Sequence, residues 1–234
     1  MTPEVAEYAT LIFDCDGVVL DSNRVKTEAF RAAALPWGTN AAEALVAHHV
    51  ANGGVSRYAK FAHFIEYILP EHAPDAVPGR DGPDLQALLT TYAEHVRAGL
   101  MTCAVAERLA DLRAATPAAR WMIVSGGDQD ELREIFAARR LAHLFDGGIF
   151  GSPDTKDDIL ARELASGGIA RPALFFGDSK LDHEAASRAA VAFIFASAWS
   201  EFSGWRDYTD RHGVTVIRNL STLLDDSTGH DIPR

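Results

Sequence analysis

Short apolar runs punctuate this chain, and most of them end on Asp, Ser or Gly. Runs at 9–13, 121–124, 173–176 and 191–195 read as strands buried on both faces, with weaker candidates at 148–150 and 214–217. Between them the 3.6-residue period predicts helices at 104–114, 128–140, 155–165 and 181–190. Strand and helix in alternation imply an α/β fold with a doubly wound parallel sheet, which gathers ligands at the C-terminal ends of its strands. One stretch breaks the rhythm. Residues 19–99 carry no convincing strand, only helical patterns at 24–34, 41–50, 56–69 and 83–98. The simplest account is a helical module, 19–99, inserted into a core made of 1–18 and 100–234. A loop rich in turn formers, from Pro70 to Pro83, is expected in its middle. The polar tail from about Asp225 reads as frayed.

Composition then narrows the classes of function. A chain of 234 residues, 47% hydrophobic and 24% charged, fits a globular enzyme large enough to need no disulfide. Cys15 and Cys103 are isolated, outside any CxxC or His-rich spacing. That argues against a zinc site or a disulfide framework and for a reducing cytoplasm. A net charge of −11 disfavours a nucleic-acid partner. It leaves small anionic substrates open, because local charge outweighs global charge at a site. No apolar run approaches the ~20 residues of a membrane span, so no membrane partner is expected. The first ten residues show no signal-peptide pattern.

The candidate chemistry sits at the strand ends. Asp14 and Asp16 follow the first run, spaced i, i+2, with Gly17 directly after. They begin on one side of an extended chain, so a counter-charge is expected, either a divalent metal or a lysine. One such carboxylate can accept a phosphoryl group. The other can protonate a leaving oxygen and then activate water. The plainer reading is a solvated Asp-Gly loop. Ser125, with the backbone N–H groups of Gly126 and Gly127, suits phosphate oxygens, or else forms a tight turn before Asp128 as an N-cap. Lys156 opens a helix at its positive end, where a cation is unhelpful, which favours a site role. Asp178 and Asp182 are four apart and share a face if their helix has already begun. Their oxygens suit Mg²⁺; their plainer role is helix capping.

In this order, Asp14-x-Asp16-Gly17-Val18, Ser125, Lys156 and Gly177-Asp178-x-x-x-Asp182 resemble the motifs of the haloacid dehalogenase superfamily, over essentially the whole chain. The resemblance implies a Rossmann-like core with an inserted helical cap of the first class. By that likeness Asp14 is the nucleophile and Asp16 the general acid/base. Mg²⁺ would be held by Asp14, the backbone carbonyl of Asp16 and Asp178, with Asp182 a ligand or standing behind them. Ser125, the Gly126 N–H and Lys156 would hold the phosphoryl group. Asp16 points within the superfamily to phosphate esters, because the dehalogenases lack it.

Residues 52–57 look like the cap loop of sugar-phosphate mutases and related phosphatases, which brings an arginine, here Arg57, to the substrate, with Lys60 close by. The plainer reading is a flexible loop capped by Ser56. Lys26 stands where many relatives carry a histidine. Ala189-Ala190-Val191 replaces a common Ala-Gly step, read as a strand-entry variation without chemical meaning. His48, His49 and His63 read as packing or surface residues, Trp199, Phe202 and Trp205 as core packing, and Cys15 as turned away from its acidic neighbours. The expected function is a Mg²⁺-dependent phosphatase that hydrolyses a small phosphorylated substrate, such as a sugar or polyol phosphate, through an aspartyl-phosphate. The alternatives are a phosphomutase of the β-phosphoglucomutase type and a non-catalytic binding relative.

Overall fold

All six apolar runs become strands of one sheet in the computed structural model, which describes residues 4–225. The strands are β1 (Thr10–Phe13), β2 (Arg120–Asp128), β3 (Gly148–Ser152), β4 (Ala173–Gly177), β5 (Ala192–Ala196) and β6 (Thr215–Ile217). Their order is β3-β2-β1-β4-β5-β6, and every pairing is parallel. The sequence alternation explains why both faces are dry. Leu11, Phe13, Trp121, Ile123, Leu174 and Phe176 pack on one side, with Phe13 stacked on Phe176 at 5.1 Å. Ile12, Met122, Val124 and Phe175 pack on the other. A parallel sheet needs such two-sided burial, since its crossovers lay helices on both faces. The result is a Rossmann-like α/β fold with β1 at the centre, so residues just past Phe13 emerge at the middle of the C-terminal edge. The tail expected to fray beyond Asp225, like residues 1–3, lies outside the described residues.

Helices α1 (Asn23–Ala34), α2 (Thr39–Ala51), α3 (Arg57–His63), α4 (Leu69–His72), α5 (Leu85–Thr102) and α6 (Leu109–Ala115) separate β1 from β2. One helix then follows each later strand in turn: α7 (Gln129–Ala138), α8 (Lys156–Ser166), α9 (Lys180–Arg188), α10 (Trp205–His212) and α11 (Thr222–Asp225). The helix expected at 104–114 starts five residues late. The backbone of 104–106 is already spent on 19–21: Asp21 N–H donates to Ala104 O and Ala106 N–H to Val19 O, both at 2.9 Å, around a Leu20–Val105 bridge. The two ends of the helical insertion therefore run side by side. The helix expected at 56–69 runs on past Pro70 to His72, through a π-helical stretch at Phe64–Ile68, so the turn-rich loop begins at Ala73. The widened turn precedes Pro70, which thus falls in the first turn of α4, where a missing N–H costs least.

Ala190 has a left-handed backbone, φ +50°. The Ala-Ala step before β5 is thus a strained version of the Ala-Gly step it replaces. Left-handed backbone costs a residue with a Cβ about 1–2 kcal/mol, partly offset by the greater chain entropy that glycine loses on folding. Ala190→Gly is expected to stabilise the protein by about 0.5–1 kcal/mol and raise Tm by about 2–4 °C in calorimetry. An unchanged or lower Tm would show that the local backbone carries no strain.

Candidate active site

Asp14 and Asp16 leave β1 into different company. Asp14 is buried; its Oδ1 accepts from the Cys15 N–H at 2.7 Å, and its Oδ2 lies 2.8 Å from Lys156 Nζ. The Asp16 carboxylate instead turns to the start of α1. Ser22 Oγ donates to Asp16 Oδ1 and Lys26 Nζ to Asp16 Oδ2, each at 2.5 Å. Ser22 is the N-cap of α1, yet its hydroxyl makes no capping bond and serves Asp16 instead. Lys26 follows one turn later on the same face, which is why one helix start supplies both partners. Burial works to raise the Asp16 carboxyl, but Lys26 and Ser22 outweigh it and hold the group below the ordinary carboxylate range.

Lys156 is the first residue of α8, fixed by the Thr155/Asp158 capping box just before it. From there its ammonium reaches both Asp14 and Asp182. Burial alone would lower its pKa; the two carboxylates more than compensate and hold it above the ordinary lysine value. Asp178 and Asp182 do not share a helical face as expected, because α9 begins only at Lys180. Asp182 is instead the third residue of α9. Its Oδ2 reaches back to the N–H groups of Asp178 and Ser179 and accepts from Ser179 Oγ at 2.6 Å, while its Oδ1 meets Lys156. Both oxygens are committed, which orients Asp182 as a brace for Lys156 and for the β4–α9 turn.

Carboxylate oxygens of Asp14, Asp178 and Asp182 lie within 4.8 Å of one another, all three residues buried. The Asp16 carboxylate stands outside this group, so of the four expected metal residues three converge through their side chains. Burial raises Asp14 to about 7, against the pull of Lys156, with Asp182 and Asp16 adding to the rise. Burial also pushes Asp178 well above its usual range, helped by Asp182 and Asp14. Buried carboxylates held high in this way are what a hard divalent cation relieves, and an all-oxygen donor set fits Mg²⁺. Gly17 leaves the room. At φ +76°, a Cβ there would sit 2.2 Å from Asp178 Oδ2. Asn23 Nδ2 donates to that same oxygen at 2.7 Å.

A cavity of about 220 Å³ opens above these groups, walled by Asp14, Asp16, Asp178, the Gly126–Gly127 backbone and the helical insertion. Ser125 is fully buried inside β2, where the pairing with β3 shifts register between Val124 and Asp128, and its hydroxyl accepts from the Gly127 N–H at 3.1 Å. Asp128 caps α7, as its position before that helix implied. Loop 52–55 lies directly on this edge: a Cβ on Gly126 would meet Gly54 O at 2.0 Å, so glycine is required for so close an approach. Arg57, expected to reach a substrate, is paired across to the core with Glu131 at 3.2 Å and Asp128 at 3.6 Å. Tyr58 adds a hydrogen bond to Asp128 at 2.6 Å. Lys26 likewise spends its ammonium on Asp16. Lys60 lines the cavity.

Several residues here carry no sequence signal of their own. Asn23 and Tyr92 belong to no motif. Glu131 reads only as a first-turn acid of α7. His49, set aside as packing, lines the cavity and accepts from Lys60 Nζ at its Nδ1, 2.8 Å away. Its neighbour His48 does stack with His63 at 3.8 Å, as a packing role implies. Cys15 is buried and its thiol pushed well up by burial, so it is no nucleophile. Phe202 lines the cavity rather than the core, whereas Trp205 stacks on Phe195.

Among the described residues no helix is long and apolar enough to cross a membrane. No curated protein matches the sequence significantly. Solved structures do match the fold. A haloacid dehalogenase-like hydrolase from Streptococcus pneumoniae aligns with a TM-score of 0.64 at 17% identity, covering 94% of this chain and 98% of its own. A protein described as a predicted phosphoglycolate phosphatase from Haemophilus somnus gives 0.71 at 14%, covering 94% and 98%. A β-phosphoglucomutase from Clostridium difficile gives 0.66 at 14%, covering 92% of each chain. At such identities these likenesses speak for the fold. A model of the haloacid dehalogenase-like hydrolases matches residues 8–190, most of the sequence. The chain belongs to the haloacid dehalogenase-like hydrolase family.

Proposed function

We propose that this protein is a Mg²⁺-dependent phosphatase that hydrolyses a small phosphorylated metabolite through an aspartyl-phosphate on Asp14. The observation that carries the reading is Lys156 Nζ held 2.8 Å from Asp14 Oδ2, inside a buried group of carboxylates at the centre of the sheet edge. An ammonium there neutralises the nucleophile's own charge and that of an incoming phosphoryl group, which would otherwise repel. Lys26 and Ser22 keep Asp16 ionised in the resting site, so Asp16 acts as the acid only after taking up a proton with the substrate. It gives that proton to the departing ester oxygen while Asp14 attacks phosphorus in line. Asp16 then takes a proton from the water that splits the aspartyl-phosphate, releasing phosphate and restoring Asp14. Ser125 and the Gly126 N–H are suited to hold the phosphoryl oxygens. Asp14 and Asp178 would hold Mg²⁺, with Asp182 as brace; when bound, the ion supplies charge neutralisation at the phosphoryl group.

We read the helical insertion as a cap. Arg57 latches it to Asp128 and to Glu131 on α7, which holds the insertion over the cavity. A space of about 220 Å³ suits a metabolite rather than a macromolecule. The test is phosphate release across a panel of phosphorylated metabolites, with Mg²⁺ and with chelator. Release that depends on Mg²⁺ is expected. Conversion through a bisphosphate without net release would make the protein a mutase. Silence across the panel, in protein that binds Mg²⁺, would reject catalysis.

A further inference from the structure

The cations of the site are nearly all spent. Lys26 serves Asp16, Lys156 serves Asp14 and Asp182, Arg57 serves Glu131 and Asp128, and Lys180 lies 3.3 Å from Glu184. Lys60 is the exception. It is 2% exposed, has no carboxylate within ion-pair range among the described residues, and its ammonium makes one hydrogen bond, to His49 Nδ1. Its remaining N–H groups are uncommitted. Since Lys60 donates to Nδ1, a neutral His49 carries its own proton on Nε2, where no partner is found among the described residues. Burial, with Lys60 and Lys26, pushes His49 down to about 2, so the ring is neutral. Tyr92, also 2% exposed, has a hydroxyl with no hydrogen-bond partner among the described residues.

These groups form one cluster. The Phe30 ring lies 4.5 Å from that of His49, 4.6 Å from that of Tyr92 and 5.5 Å from Lys60 Nζ. All four residues line the cavity, on the side built by the helical insertion. Lys60 and His49 Nε2 offer only donors, and Tyr92 a hydroxyl free to turn. A substrate hydroxyl could hand its proton only to the Tyr92 oxygen, whereas an oxyanion can take a hydrogen bond from all three groups at once. Burying an ammonium beside Phe30 without an anion is also costly. Burial and Lys26 lower Lys60 to about 7, a state that an arriving anion would reverse.

We infer that Lys60, His49 and Tyr92 form a receptor for a second oxyanion, carried by the substrate at the end away from its phosphoryl group. This rests on the phosphatase reading and names its substrate class: short phosphate monoesters that also bear a carboxylate or a second phosphate. The test compares kcat/KM, in Mg²⁺, for short alkyl phosphates ending in a carboxylate, in a second phosphate, or in the matching neutral amide. The intact protein is expected to prefer at least one anionic ester over the amide by roughly 10- to 100-fold, and the better arm tells which anion it takes. Lys60→Met should reduce that ratio by roughly 10-fold or more, and Lys60→Arg should restore part of it. Tyr92→Phe, which removes only a hydroxyl, should reduce it by a smaller factor and carries the test if Lys60→Met fails to fold. Equal rates on amide and anions, or a ratio unmoved by these substitutions, would overturn the inference alone. Failure to hydrolyse any arm, the amide included, would remove the phosphatase reading and this inference with it.

Discussion

Asp14→Asn is expected to abolish turnover, by on the order of 10⁴-fold or more, while the protein stays folded. The two halves of this expectation come from different contacts. An amide oxygen can still accept the Cys15 N–H at Oδ1, and Lys156 keeps Asp182 as its anion, so no buried charge is stranded. Burial pushes Asp14 up to about 7 against the pull of Lys156, so desolvation already offsets much of what the charged carboxylate gains from its ion pair. Replacing it by a neutral isostere should therefore move Tm by only a few degrees in either direction. Chemistry is another matter, because an amide cannot form the acyl-phosphate. Rapid-quench measurements with a phosphate-labelled substrate should find labelled protein in the parent and none in the variant. A variant that still releases phosphate at a tenth of the parent rate would remove Asp14 as nucleophile, and with it the reading of the site.

What the sequence made legible follows from range. Strand ends and helix starts are local events: an apolar run, then Asp, Ser or Gly, then a cap. Asp14, Ser125, Lys156 and Asp178 were readable in that way, and parallel sheet geometry alone brings such ends to one edge. The six strands were readable because burial on both faces writes them as continuous apolar runs. The helix at 104–114 was misplaced at its start because the pairing of 104–106 with 19–21 joins segments over eighty positions apart, and helical period carries no trace of it. The pairings around the cavity are of the same kind. Nothing near Lys26 announces Asp16 as its partner, since the contact depends on how α1 leaves the first strand. His49 looked like any helical histidine until α3 laid Lys60 against it. Arg57 was expected to reach a substrate, but its acids are the cap and a first-turn residue of α7, and no spacing relates them to it.

Asp16→Asn is expected to slow both phosphoenzyme formation and phosphoenzyme breakdown, by ~10²–10⁴-fold, the usual range for losing a positioned acid/base. The location supports the double role. Asp16 opens on the cavity beside Asp14 yet stands apart from the Asp14, Asp178 and Asp182 oxygens, the position that a proton-transfer role asks for. Ser22 and Lys26 fix both of its oxygens at 2.5 Å, which sets its direction before substrate arrives. That arrangement also complicates the variant. An amide leaves Lys26, buried and deprived of its anion, and such a loss can cost about 3–5 kcal/mol. Lower activity would then have two explanations. The double variant Asp16→Asn, Lys26→Met separates them, because it removes the stranded cation together with the acid. If the double variant recovers thermal stability and stays slow in both half-reactions, proton transfer by Asp16 accounts for the loss. If it recovers the rate as well, Asp16 serves only to hold Lys26, and another group moves the proton.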